Sequence, residues 1–152
     1  MKNCACQFSV KLFEAFRIED YFIVMELCDG DLHQKLKEKV KNNGTGFTER
    51  EIYLFLTQIT KVFDIMNKEK IIHRDIKLDN ILVCEADVDL GFIVKLGDYG
   101  ISKIFQDEKN HTNIGTPDTK APEVMREEKY NELADIWSLG VILYKLYSNK
   151  YP

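Results

Sequence analysis

The chain has 152 residues, 45% of them hydrophobic and 30% charged, which are the values of a globular domain and exclude a disordered or low-complexity chain. Its 21 Lys and Arg against 25 Asp and Glu leave a net charge of −4 with both signs interspersed, so no basic footprint for nucleic acid or an anionic membrane is expected. Met1-Lys2-Asn3-Cys4-Ala5-Cys6 leads into no apolar region of signal-peptide type, and the most apolar stretch, Ile136 to Leu146, is too short and too polar to span a bilayer. Val10 to Phe16 and Tyr21 to Met25 are β-like, and the polar Arg17 to Asp20 between them suits a hairpin. Asp29-Gly30 breaks that pattern, after which Leu32, Leu36 and Val40 recur at i, i+4, i+8 and predict a short helix. Lys41 to Gly46 reads as a loop whose glycines serve turns; a lysine-rich helix precedes them, where a phosphate cradle would follow a strand.

Thr48-Glu49-Arg50-Glu51 has the form of a capping box, in which hydroxyl and carboxylate satisfy each other's backbone N–H groups. The helix it opens carries Ile52, Phe55, Leu56, Ile59, Val62, Phe63 and Met66 on one broad face, a core stripe. Ile81 to Cys84 and Ile93 to Leu96 are expected to pair as strands across the loop 85–91. Residues 101–120 are polar and irregular. Asp135 to Tyr147 has little polar surface, the pattern of a helix buried inside a lobe. Cys4, Cys6, Cys28 and Cys84 lack zinc spacing and read as reduced thiols of a cytoplasmic or nuclear chain.

The chemistry concentrates in His73-Arg74-Asp75-Ile76-Lys77-Leu78-Asp79-Asn80, which sets an acid, a lysine and an amide in one short polar turn between a helix and a strand. Asp98-Tyr99-Gly100 follows, then Ala121-Pro122-Glu123. By itself Asp75 would be a solvated turn aspartate and Asp98 a β-turn residue. Three motifs in this order resemble the eukaryotic protein kinase family, Ser/Thr type, over nearly the whole chain.

That resemblance implies an α+β, protein-kinase-like fold. Most of it would be the helical large lobe (29–152), with a two-strand remnant of the small lobe and the hinge at 1–28. It implies ATP-dependent phosphorylation of a protein substrate, with ATP and Mg²⁺ as cofactors and an intracellular location. Asp75 would orient the substrate hydroxyl and take its proton, and Lys77 would contact the transferred phosphate. Asn80 and Asp98 offer the hard oxygens that Mg²⁺ prefers. Backbone groups of Glu26 and Cys28 would face the adenine edge, with Leu82 as its floor. Arg74 and Lys103 would read a phosphate on Thr112, while Thr116 would hydrogen-bond Asp75 and Lys77. His73 would stack with Leu12 and Tyr99 over Asp135; Asp135 and Trp137 would anchor the catalytic loop; Ile142 and Leu146 would support Leu82.

Two positions depart from the pattern. Thr119 and Lys120 replace the usual tyrosine and apolar residue, and Asp29-Gly30-Asp31 is one residue shorter than the usual glycine-rich version. A glycine-rich phosphate loop, a strand lysine with its helical glutamate partner, and the arginine expected opposite Glu123 are not among the 152 residues. The expectation is therefore poor turnover by this segment alone, with apolar residues such as Phe13 and Phe16 facing water. Three readings compete: an enzyme whose other parts lie outside the segment, a non-catalytic kinase-like binding module, and an unstable product of a truncated gene model. Intact Asp75, Lys77, Asn80 and Asp98 favour the first.

Overall fold

A computed structural model describes residues 7–98, 103–104 and 117–152, with only the backbone described at 103 and 104. The elements follow from local chemistry where the chemistry is local. Thr48 Oγ1 accepts the Glu51 N–H at 3.3 Å, and Glu51 Oε2 accepts the Thr48 N–H at 2.8 Å, so the capping box opens a long helix, α2 (Glu49–Lys68). Its stripe divides by depth: Phe55, Ile59, Val62 and Met66 are buried, while Ile52, Leu56 and Phe63 pack at the margin. The shorter α1 (Leu32–Asn43) starts on Asp31, whose Oδ1 accepts the Gln34 N–H at 2.8 Å, and buries Leu32 and Leu36.

The region 41–46 differs from its loop reading. Lys41 to Asn43 stay helical, and Gly44 closes the helix at φ 73, a left-handed cap that glycine adopts without strain. Gly46 has another task. A Cβ there would collide with the Leu146 and Tyr147 carbonyls, and the Phe47 N–H donates to the Leu146 carbonyl at 2.7 Å. The loop is thus pressed onto the end of the last helix.

Three small sheets complete the fold. Strands β1 (Leu12–Arg17) and β2 (Tyr21–Met25) form the foreseen antiparallel hairpin, with Leu12 opposite Met25 and Arg17 opposite Tyr21. The second sheet holds β3 (Gly30–Asp31), β5 (Ile81–Glu85) and β6 (Phe92–Leu96) in the order β3-β5-β6, all antiparallel. The pairing of β5 with β6 across the intervening loop is as expected, and burial alternates along both strands. The third sheet joins β4 (Ile71–Ile72) to β7 (Lys103–Ile104), so 101–120 is not wholly irregular. Both β3 and β7 are two residues long, too short for a hydropathy period to mark them. The segment Phe8 to Val10 lies along β6: Leu96 donates to the Phe8 carbonyl at 2.9 Å, and Val10 to the Leu96 carbonyl at 3.1 Å.

A short α3 (Pro122–Met125) leads to α4 (Leu133–Ser148). The main core gathers α1, α2, β5, β6 and one face of α4 (Leu139, Ile142, Leu146); a second cluster holds Ile72, Ala121, Val124, Tyr130 and Ala134. The prediction of an α4 buried all round is corrected. Leu133, Ile136, Trp137, Tyr144 and Tyr147 are each about half exposed, because the described core covers one side only. Hydropathy shows that a helix is apolar, not which side finds a partner. Among the described residues no helix is long and apolar enough to cross a membrane.

Candidate active site

The segment His73 to Asn80 leaves β4, turns through Arg74 at φ 72, and enters β5 through a 3₁₀ turn at Leu78–Asn80. Ile76 and Leu78 are buried, anchoring the loop by its apolar side chains. Its backbone is held from 62 residues away. Asp135, buried on the first turn of α4, accepts the His73 N–H at Oδ2 (2.7 Å) and the Arg74 N–H at Oδ1 (2.9 Å). Trp137, expected to share this anchoring, is half exposed, and the two bonds described come from Asp135.

Burial raises Asp135 above the ordinary carboxylate range despite the two N–H groups that favour its charge. Burial likewise lowers His73, which makes it a neutral imidazole near pH 7. Its Nε2 lies 2.8 Å from the Gly97 carbonyl; a carbonyl only accepts, so Nε2 carries the proton. This bond fastens the loop to the residue before Asp98.

The polar groups of the loop converge. Lys77 Nζ lies 2.8 Å from Asp75 Oδ2, and Asn80 Nδ2 donates to the same oxygen at 3.0 Å and to the Asp75 carbonyl at 2.9 Å. The hydrogen bond to Asp75 raises Lys77 above the usual lysine range, so it remains a cation. Asn80 is buried, and its own carbonyl accepts the Gly97 N–H at 2.9 Å, which brings Asp98 to the edge of the same site. Asp98 is exposed, at φ 54. Among the described residues no three His, Cys, Asp or Glu side chains gather into a metal cage.

Glu26 follows β2. Its N–H donates to the Lys11 carbonyl at 2.9 Å, and its carboxylate binds Lys95 at 3.0 Å. Burial acts to raise the Glu26 carboxyl, but Lys95 and the Lys11 N–H outweigh it and hold the group low. Cys28 is half-buried, as is Leu82, which lies under Gly97 beside Val10; a Cβ on Gly97 would sit 3.3 Å from both of those side chains. Leu12 is half-buried at the start of β1. Ile142 and Leu146 are fully buried within the core that holds Ile81 and Val83, the neighbours of Leu82. Glu123 is half-buried on α3. Tyr99, Thr112 and Thr116 lie outside the described residues, and Lys103 contributes its backbone pairing with Ile72.

Several contributors escape a sequence reading. Asp29 Oδ2 accepts the Glu85 N–H at 2.9 Å, and Asp31 caps α1, so this short acidic stretch is spent on structure. Thr119 is buried and its carbonyl accepts the Ser138 hydroxyl at 2.7 Å, which ties the segment before α3 to α4. Asx caps have a signal in the sequence; the other two contacts are long-range and have none.

A family model described as a protein kinase domain matches residues 1–152. Among curated proteins, the chain is 40% identical over 134 residues to the serine/threonine-protein kinase Nek5 of Homo sapiens, covering 86% of this chain and 18% of that protein. It is 38% identical over 143 residues to the serine/threonine-protein kinase Nek3 of Mus musculus (91% and 26%). A probable myosin light chain kinase of Dictyostelium discoideum is 36% identical over 149 residues (96% and 36%). The chain therefore spans about a fifth to a third of the length of these relatives. With the acid, lysine and amide of one loop drawn onto a single carboxylate oxygen, and with this match along its full length, the chain belongs to the serine/threonine branch of the protein kinase family.

Proposed function

We propose that the chain carries the catalytic centre of a serine/threonine protein kinase, moving a phosphoryl group from ATP to a protein hydroxyl. The observation behind this reading is the convergence of Lys77 and Asn80 on Asp75 Oδ2, in a loop whose backbone is clamped by Asp135. Phosphoryl transfer needs little covalent help from protein; it needs an oriented hydroxyl and neutralised charge. Asp75, held by these two partners, orients the hydroxyl and takes its proton at its carboxylate. Lys77 keeps a positive charge within reach of the transferred group. Asn80 turns its amide nitrogen toward Asp75, and its oxygen is the atom it would offer a cation. With Asp98 it makes a one-carboxylate, one-amide set, which fits Mg²⁺, an ion usually held by one or two protein ligands and phosphate oxygens. When bound, Mg²⁺ neutralises phosphate charge. The Glu26 carbonyl and the Cys28 backbone would meet the adenine edge over Leu82.

In this reading residues 1–28 are small-lobe strands and hinge, and 29–152 belong to the large lobe. The phosphate-covering loop and phosphate-gripping lysine must come from outside the 152 residues, so the segment alone turns over ATP poorly. Arg74 and Lys103 would pair with a phosphate on Thr112, and Thr116 would touch Asp75 and Lys77. The test uses the chain completed with a kinase small lobe. Asp75→Asn should cut transfer by roughly 10²–10⁴ with nucleotide binding nearly intact. Asp98→Asn should instead weaken Mg-ATP binding, because the lost charge faces the cation. Equal binding defects in the two variants would refute the assignment.

A further inference from the structure

Between β2 and α1 the chain runs beside β5 through a local irregularity. The Asp29 N–H donates to the Val83 carbonyl at 2.9 Å, yet Gly30 is the register partner of Val83. Two residues thus face one, the arrangement of a β-bulge. Counting outward from it sets Cys28 across from Cys84. The Glu85 N–H, one residue further on, is bonded to the Asp29 carboxylate at 2.9 Å, which holds the two backbones together at this level. Cross-strand neighbours have Cβ atoms about 4.5–5.5 Å apart, within a small adjustment of the roughly 3.5–4.5 Å of a disulfide. Both cysteines are free thiols and half-buried, reachable by a small oxidant.

We propose that Cys28 and Cys84 form a reversible cross-strand disulfide when the chain meets a hydroperoxide, clamping the segment after β2 onto β5. Burial and the adjoining Cys84 thiol push the Cys28 thiol up to about 12, so Cys28 keeps its proton near neutral pH. The step begins at Cys84: its sulfur takes one oxygen from hydrogen peroxide, giving a sulfenic acid and one water. The Cys28 sulfur then attacks the Cys84 sulfur, and its proton leaves with the displaced hydroxide as a second water. Two thiols lose two hydrogens and two electrons in all, and the peroxide is reduced to water. Resting on the reading that the Cys28 backbone meets the adenine edge, the clamp fixes that edge against β5 and lowers nucleotide affinity.

The test uses the full chain with Cys4→Ser and Cys6→Ser, which leaves two of its four cysteines. After hydrogen peroxide the intact mass should fall by two hydrogens. Proteolysis should yield one joined peptide containing Cys28 and Cys84, separated again by dithiothreitol and absent in Cys84→Ser. Two thiols still open to alkylation, or Cys84 carried to the sulfinic acid beside a free Cys28, would overturn the proposal. A fluorescent ATP analogue supplies the second measurement. Its affinity should drop several-fold on oxidation, return with dithiothreitol, and ignore peroxide in Cys84→Ser. A joined peptide without that drop would overturn the placement of Cys28 at the nucleotide edge and leave the bond standing.

Discussion

The loop from His73 to Asn80 and the hairpin from Leu12 to Met25 are built on opposite plans. In the loop, His73, Ile76, Leu78 and Asn80 are buried, the distant Asp135 side chain holds the backbone, and the His73 ring donates to the Gly97 carbonyl. In the hairpin every residue after Leu12 is exposed, Phe13 and Ile23 by 58% and 59%, and the visible glue is local: Phe16 stacks on Phe22 at 5.3 Å, and Arg17 lies over Tyr21. A two-stranded hairpin without a covered face is marginal in water. The groups proposed to act on the hydroxyl and phosphate are thus preset by the helical part, while the strands beside the nucleotide edge rely on their own turn.

The widest gap between the two regions should come from Asp135→Ala. One buried and one part-buried N–H group would lose their acceptor, at roughly 1–3 kcal/mol each, so urea unfolding should show a loss on the order of 3 kcal/mol. A loss below 1 kcal/mol would mean that the loop does not depend on this clamp. Gly46→Ala comes next. Its methyl group has backbone carbonyls as neighbours, which cannot swing aside, and overpacking of this kind costs about 1–3 kcal/mol by the same measurement. An unchanged midpoint would show that the loop before α2 can lift off α4.

Acidification is a gentler probe of the same contrast. Because burial lowers the His73 pKa, the unfolded chain binds the extra proton between the folded value and the ordinary 6.5. The His73 contribution is fully present above pH 6.5 and is lost as the pH falls toward the folded value. The raised Asp135 opposes this in more acid solution, where the folded state holds the additional proton. NMR should find the His73 imidazole titrating below 6.5; a midpoint at or above that value would remove the argument. The smallest effect belongs to the hairpin. Phe16→Ala should change global stability by no more than about 0.5 kcal/mol, as expected for an exposed residue. A cost above 2 kcal/mol would erase the distinction drawn here.

What the sequence discloses follows the range of each interaction. Thr48 and Glu51 lie three residues apart and the apolar runs of β5 and β6 flank one short loop, so the cap and that pairing are legible before any coordinates. The acid, lysine and amide of the loop stand out as a motif, and their meaning came by resemblance, since spacing does not say that Lys77 and Asn80 meet on one oxygen. Gly46 looked like a turn residue because nothing within the loop announces the helix end pressed against it. The uncovered side of α4 was missed for the same reason. Apolar residues appear alike in sequence whether or not another element reaches them.

The two hydrogen bonds that Asp135 accepts also put a clock on biosynthesis. His73 leaves the ribosome 62 residues ahead of its acceptor, and at roughly 5–20 residues per second that interval lasts about 3–12 s. Within it α2 can coil, and β5 can pair with β6 once Leu96 has been made. The loop between them can already meet Gly97, but the acceptor of its His73 and Arg74 amides is still to come. Those two amides stay solvated until the start of α4 arrives, so this end of the reactive turn is set late in synthesis, on a scaffold already standing.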